Sequence, residues 1–177
     1  MKKMLFCGLA PAALLALTIS QANAAGEHIA PMQEGAKTKV ATWLKSSVVI
    51  DAIKAQNAKN ASLAEPEIIK MDKIWRAEVK VSGGSLTKSV LANSLSKYLK
   101  KVKADSQGLY TEIFVMDNKG INVGQSDMTS DYWQGDEAKW QKTYKVGPQA
   151  IHIGKVKTDE STQPLQSQLS VPITDPA

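Results

Sequence analysis

The chemistry open to this sequence is limited first by its histidines. The chain has only two, His28 and His152. Hydrolytic triads need a base such as histidine beside a nucleophile, and neither G-x-S-x-G, H-E-x-x-H nor a glycine-rich phosphate loop occurs in the sequence. The acidic pairs at 136–137 and 159–160 are adjacent in sequence, so their side chains diverge on a helix or a strand. We therefore expect no catalytic residues and no enzyme.

The acidic residues that follow position 126 raise the question of a bound cation. A calcium loop of the EF-hand type needs oxygen donors at alternate positions and a glycine at the sixth. The loop that begins at Asp127 has Tyr132 at that sixth position. The sequence therefore predicts no metal site, and no other cofactor is expected.

One short stretch concentrates aromatic rings among charged residues. Asp131, Tyr132, Trp133 and Trp140 lie close together, and Lys142 follows them. Indole and phenol rings suit the wall of a small-molecule pocket, because they combine apolar contact with a few directed donors. The alternative is that Trp133 and Trp140 plug the core under a long loop. Composition alone does not separate these two interpretations.

Three helices are predicted in the first part of the chain, 30–105. Apolar residues recur at three- and four-residue steps over 30–60, which predicts one long helix. Ser62 and Glu65 have the spacing of a capping box, so a second helix is predicted over 66–79.

The apolar stripes of the later helices predict which residues they bury. The second helix should bury Ile69, together with Ile74 or Trp75. The third should begin at Ser85 as its N-cap and run unbroken to Val102, because this stretch has the clearest helical stripe in the chain.

The second part of the chain, 108–177, is predicted to form strands. A strong turn signal between two runs of β-branched and aromatic residues predicts a hairpin over 109–125. Further strands are predicted over 150–157 and 165–173. Helices followed by an antiparallel sheet define an α+β fold.

The beginning of the chain has the features of an export signal. Lys2 and Lys3 precede an almost wholly apolar run over 4–19, and small residues follow, so we expect cleavage after Ala24. The apolar run is shorter than the ~20 residues that span a bilayer. The sequence therefore predicts a signal peptide over 1–24 and a periplasmic protein. The remaining residues, 25–177, are predicted to form one domain.

Charge and cysteine content narrow the partners of that domain. Cys7 is the only cysteine and lies inside the predicted signal, so the mature domain would have no disulfide. Loss of Lys2 and Lys3 leaves 20 of the 22 basic residues against 17 acidic ones, a net charge of +3. This charge is too mild to indicate nucleic acid as a partner.

Four stretches together resemble the extracytoplasmic PAS-like sensor domains called Cache or PDC domains, in particular the small periplasmic single-domain type. They are FVMDNKG at 114–120, SDYWQGDE at 130–137, DES at 159–161 and SVPITD at 170–175. The resemblance covers 30–177. It implies a PAS-like antiparallel sheet preceded by a long N-terminal helix and two further helices.

The resemblance also implies a non-catalytic sensor that binds a small polar metabolite between the sheet and the loops packed over it. Residues 131–140 would help to cover the ligand, and Asp159 or residues near Gln166 and Gln168 would approach it from the far side. The six candidate ligand-binding residues are Asp131, Tyr132, Trp133, Trp140, Lys142 and Asp159. A free domain of this kind would relay its message to a separate membrane-bound receptor or kinase.

Two further expectations concern the end of the sheet. Domains of this type have a further strand after the turn near Pro172, and the sequence stops there, so the final strand is expected to be missing. The edge formed by 165–173 could then pair with a second copy in a homodimer. The competing hypothesis is a ligand-free structural or protein-interaction domain of the bacterial envelope, acting through its basic helices or this edge.

Overall fold

The computed structural model describes residues 26–158 and 165–175, and its helices occupy the first part of the chain. The helical elements are α1 (Ile29–Gly35), a π-helical turn (Ala36–Val40), α2 (Ala41–Leu44), α3 (Ser47–Lys59), α4 (Glu65–Lys80), α5 (Ser85–Ala92), α6 (Ser94–Asp105) and α7 (Ala138–Gln141). The strands are β1 (Phe114–Met116), β2 (Asn122–Gln125), β3 (His152–Ile153), β4 (Lys157–Thr158), β5 (Leu165–Gln166) and β6 (Leu169–Ser170). The predicted signal peptide, 1–24, lies outside the described residues.

The strands pair antiparallel in three two-stranded sheets. β1 pairs with β2, β3 with β6, and β4 with β5. The predicted α+β class is confirmed, since a helical part is followed by antiparallel strands.

The helix predicted over 30–60 is divided in two. The run from α1 through the π-helical turn to α2 is continuous, but Ser46 is extended, with a ψ of 137°. Its carbonyl then accepts the amide of Val49 at 2.9 Å, which opens α3 as a new helix. The break lets α3 turn and pack against α6 and β2.

The second helix, α4, occupies the predicted range but begins differently. Its N-cap is Ala64, whose amide donates to Oε2 of Glu67 at 2.9 Å. The capping glutamate is therefore Glu67 and not Glu65, two residues later than the sequence spacing indicated. Pro66 lies in the first turn, where the absence of an N–H costs no helical hydrogen bond.

The buried face of α4 also differs from the prediction. Ile68 and Trp75 are buried, whereas Ile69 and Ile74 are 37% and 44% exposed. Asp72 lies on the buried face, and its carboxylate accepts backbone amides from a distant loop. A search for an apolar stripe misses this face because its central residue is charged.

The predicted third helix is interrupted at Asn93, which separates α5 from α6. Asn93 is extended, with a ψ of 167°, and its Oδ1 accepts the amide of Ser96 at 2.7 Å as the N-cap of α6. Its Nδ2 donates to the carbonyl of Val123 on β2 at 2.8 Å. One side chain thus begins α6 and ties it to the hairpin. The N-cap of α5 is Gly84, one residue before the predicted Ser85.

Helices α4 and α5 are joined through Glu78. Its carboxylate accepts the amides of Leu86 at 3.1 Å and Thr87 at 2.7 Å, and also the Thr87 hydroxyl. Hydrogen bonds from the Thr87 backbone, more than any other contact, lower the pKa of Glu78. The first turn of α5 is therefore capped by a side chain of the preceding helix.

The predicted hairpin is present, with strands shorter than the range 109–125. β1 and β2 flank a turn in which Gly120 has a φ of 80°. A side chain at Gly120 would lie 2.5 Å from the Cα of Gly135, so glycine is required there by both conformation and space. The turn is consequently in close contact with the loop that follows the hairpin.

Two apolar clusters pack on the hairpin. One lies between α3, α6 and the strands, and its buried members are Val49, Leu95, Leu99, Ile113, Val115 and Val123. The other lies between α4, α5 and the hairpin turn, and its buried members are Ile68, Trp75, Val90, Ile121 and Tyr132. The hairpin is thus the element that joins the two halves of the core.

The last part of the chain forms shorter strands than predicted. The range 150–157 contains β3 and the start of β4, and the range 165–173 contains β5 and β6. Both β5 and β6 pair with an earlier strand of the same chain. The homodimer through 165–173 stays a prediction. Within the described ranges, every helix is too short or too polar to cross a bilayer.

Candidate functional site

A cleft of about 820 Å³ lies between the N-terminal helical run and the strands. Its walls come from three stretches far apart in sequence: helix residues between 31 and 57, the segment 109–118 that contains β1, and 166–173 around β6. Trp140, Thr143 and Tyr144 complete the lining. The volume is within the range of roughly 300–1,000 Å³ found for small-molecule sites.

Aromatic rings form much of the cleft wall. Trp43 and Tyr110 meet edge to face, with ring centroids 6.4 Å apart. Trp140 stacks on Tyr144, with centroids 5.3 Å apart. The first pair joins stretches that are far apart in sequence, the second is local to α7 and the residues after it, and both give the cleft apolar surfaces.

Two indole nitrogens of the cleft residues have no hydrogen-bond partner. Nε1 of Trp43 and Nε1 of Trp140 are both buried, and neither donates to an atom of the described chain. An unsatisfied buried donor costs roughly 1–3 kcal/mol. Both donors belong to rings that line the same cleft.

The charged residues of the cleft are mostly acidic. The lining contains Glu34, Glu112 and Asp117 but only one basic residue, Lys39. Glu34 and Lys39 are exposed on the N-terminal helical run, whereas Asp117 is buried. The cleft therefore carries a negative charge on a chain whose formal net charge is +5.

Both carboxylate oxygens of Asp117 accept hydrogen bonds within the fold. Its Oδ1 accepts the amides of Lys119 and Ile121, both at 2.9 Å. Its Oδ2 accepts the amide groups of Asn60 at 2.9 Å and Gln56 at 3.1 Å. Four donors therefore balance this buried carboxylate, and it organises the hairpin turn against α3.

Glu112 is an exposed acidic residue of the cleft wall. It makes no hydrogen bond or ion pair with another described residue. The surrounding protein raises the pKa of its carboxyl, mainly by desolvation and secondarily through the negative charge of Asp127. Lys139 and Lys103 act in the opposite direction.

The aromatic loop, residues 131–140, is divided between the core and the cleft. Tyr132 is 4% exposed and stacks on Trp75, with ring centroids 5.2 Å apart. Burial, with a smaller contribution from Asp117, raises the pKa of the Tyr132 phenol to about 12. Tyr132 therefore belongs to the second apolar cluster and not to the cleft wall.

The neighbours of Tyr132 are held in place by hydrogen bonds to other parts of the fold. The amides of Tyr132 and Trp133 donate to Oδ1 of Asp72, at 2.8 and 3.1 Å. Nε1 of Trp133 donates to the carbonyl of Lys119 at 2.9 Å. Asp131 accepts from Nη2 of Arg76 at 3.2 Å. These contacts fasten the start of the loop to α4 and to the hairpin turn.

The structure thus separates the candidate ligand-binding residues. Trp140 lines the cleft, whereas Asp131, Tyr132 and Trp133 are absent from its lining. Lys142 is exposed after α7 and also lies outside the cleft lining. Desolvation, and to a smaller extent the charge of Lys142, lowers the pKa of His152. Asp159 lies outside the described residues.

Sequence reasoning missed three prominent cleft residues, Trp43, Tyr110 and Glu112. Trp43 lies on the apolar stripe that predicts the first helix, and nothing local shows that its neighbour is Tyr110. Glu112 left a usable signal, because it is a charged residue within the predicted hairpin range, next to Ile113 on the core side. Alternation along an extended chain places Glu112 on the other face.

Neither a metal site nor a relative clarifies the chemistry further. In the ranges that the structure describes, no group of three or more histidine, cysteine, aspartate or glutamate residues is placed to hold a metal ion. Comparison of the chain with protein-family models, curated proteins and solved structures gives no match.

Proposed function

We propose that this chain is an exported, PAS-like sensor module that binds a small metabolite in the cleft between its N-terminal helix and β1. The supporting observation is the cleft itself, about 820 Å³ in volume, with two aromatic pairs in its wall. The resemblance of the hairpin and of the aromatic loop to Cache domains supports the same function. The module would be non-catalytic and would relay ligand binding to a separate membrane-bound receptor or kinase.

The position of the cleft supports a route for that relay. One wall is the N-terminal helical run, which contacts the rest of the chain at His28 and through the packing of Trp43. His28 Nε2 lies 3.2 Å from the carbonyl of Gly154. A ligand between the helix and the strands would contact both sides, so its binding would favour one position of the helix.

A thermal melt of the full chain against small carboxylates, amino acids, amines and divalent ions tests this proposal. A ligand at 100 times its dissociation constant stabilises by about 2.7 kcal/mol, which raises the midpoint by several degrees. We expect compounds of one chemical class to raise it. A cooperative melt that no compound shifts would instead favour the ligand-free interaction domain.

Tryptophan fluorescence locates the bound compound. Trp43 and Trp140 line the cleft, whereas Trp75 and Trp133 do not. The ligand-induced change in emission should therefore be reduced in Trp43→Phe and Trp140→Phe and retained in the control Trp133→Phe. Retention in all three variants would place the ligand elsewhere.

A further inference from the structure

The carboxyl group of Glu112, an exposed residue, is accessible to a ligand of the cleft. It lines the cleft and has no bonded partner among the described residues. The two lysines that offset its charge are committed to other groups. Lys139 Nζ lies 2.9 Å from Glu137 and donates to Gln134 at 2.7 Å, and Lys103 Nζ lies 2.7 Å from Asp127. Glu112 therefore lacks a close counter-charge of its own.

The rings that line the same cleft as Glu112 are suited to a cation. Lys139 Nζ lies 5.3 Å from the ring centroid of Phe114, and Lys145 Nζ lies 5.1 Å from that of Trp140. Both distances are within the ~6 Å of a cation–π contact. Trp43 and Tyr110 form the same kind of surface, and no lysine or arginine of the described chain makes such a contact with them.

The lining also has the charge that attracts cations. Three carboxylates and one ammonium group belong to it, and one of those carboxylates, Asp117, is already balanced by four donors. Glu34 and Lys39 are near each other in sequence on the exposed helix and offset one another in charge. Glu112 is left as the charge that an incoming ligand would meet.

We propose that the ligand of the cleft is an organic monocation with an apolar body, an aryl- or alkylamine, whose ammonium group pairs with Glu112. The apolar body would lie against the ring surfaces of Trp43 and Tyr110. This inference rests on the proposed function, because it specifies the ligand class of the same cleft. It adds that charge, and not size alone, selects the ligand.

Three compounds of similar shape separate the contribution of charge. Isothermal titration of the full chain with 2-phenylethylamine, 2-phenylethanol and 3-phenylpropionate compares a cation, a neutral molecule and an anion. We expect the amine to bind at least about tenfold more tightly than the alcohol, since a partly desolvated charge pair contributes that much or more. Equal or tighter binding of the alcohol or the carboxylate would overturn the inference.

Two variants test the assignment to Glu112. Glu112→Gln should lose the preference for the amine over the alcohol, whereas Glu34→Gln, which removes an exposed acid of the same cleft, should keep it. Glu112→Gln should also melt close to the unchanged protein, because Glu112 makes no hydrogen bond or ion pair with a described residue that the substitution would remove. Retention of the amine preference in folded Glu112→Gln would overturn the assignment.

The pH dependence gives an independent readout. Because the pKa of Glu112 is raised above its ordinary value of 4.5, the carboxylate is lost earlier on acidification than that of an ordinary glutamate. Amine affinity should therefore fall as the pH is lowered toward 4.5 from above, and alcohol affinity should not. Parallel behaviour of the two compounds would contradict the pairing. If no compound of any class shifts the melt, the proposed function itself fails.

Discussion

Buried carboxylates in this protein hold backbone turns in place. Asp117 accepts two amides of its own turn and two side-chain amides of α3. Asp72 accepts two amides of the aromatic loop and the guanidinium of Arg76 at 2.6 Å. In both cases the acid replaces hydrogen bonds that an irregular segment cannot make with a strand partner.

Substitution of Asp117 should destabilise the hairpin. Asp117→Ala would leave two buried amides without acceptors, and we expect it to lower the free energy of unfolding by about 3 kcal/mol. Asn118→Ala is the matched control, because the side chain of Asn118 is exposed and its amide would still donate to Asn57. Urea denaturation of both variants measures the difference. A loss of equal size in the control would contradict the role of Asp117.

Glu78 should make stability depend on pH. Its pKa in the folded protein is below the ordinary value of 4.5, so its contribution is present above that pH and is lost as the pH falls through the lowered pKa. Glu78→Gln should therefore be less stable than the unchanged protein at pH 7. The difference should shrink below pH 4.5. Denaturant midpoints measured from pH 7 to 3 check this, with Glu34→Gln expected to show little difference at any pH.

At the scale of elements, two of the predicted helices are interrupted at single polar residues. Asn93 caps α6 and also bonds to β2, which a helical Asn93 could not do. Ser46 similarly divides the predicted first helix. The apolar stripes continue across both breaks, so periodicity alone could not locate them.

Two substitutions at Asn93 separate its two roles. Asn93→Ala removes both the cap and the bond to Val123 and should cost about 1–2 kcal/mol in free energy of unfolding. Asn93→Asp keeps an acceptor for the amide of Ser96 and loses only the donor to Val123, so its cost should be smaller. Equal losses in the two variants under denaturant would show that the cap contributes little.

Local signals account for the elements that the sequence predicted well. Pro66 and the glycines after α4 bound that helix, and the turn before Gly120 has both the acidic and the glycine residue that it needs. The cleft could not be predicted in this way. Trp43 and Tyr110 belong to different elements, and only the packing of α3 and α6 on the hairpin brings them together.

At the scale of the whole molecule, the aromatic loop shows that the composition of a segment does not determine where each of its side chains lies. Its composition is equally compatible with a pocket wall and with a plug of the core, and Trp140 lines the cleft. Asp72 on α4 holds the amides of Tyr132 and Trp133, and this anchor is about sixty residues away in sequence. The loop is therefore divided, with Trp140 in the cleft lining and Tyr132 and Trp133 at the second apolar cluster.

Export of the molecule is open to a direct test. We expect the protein recovered from the periplasm of a bacterial host to begin at Ala25, because the residues before it have the pattern that signal peptidase recognises. Intact mass spectrometry distinguishes this species from the full chain. A product that retains Lys2 and Lys3 would contradict both the cleavage and the periplasmic localisation.

The π-helical turn at Ala36–Val40 determines how the helix residues before it are rotated about the helix axis. Such a turn holds one residue more than regular α-helix, and each helical residue advances about 100° around the axis. Deletion of the exposed Lys37 should therefore leave α2 and α3 in place and rotate His28 and Met32 away from their present neighbours. A single codon lost or gained here would change which side chains the N-terminal helix presents to the cleft, and leave the two apolar clusters on the hairpin in place.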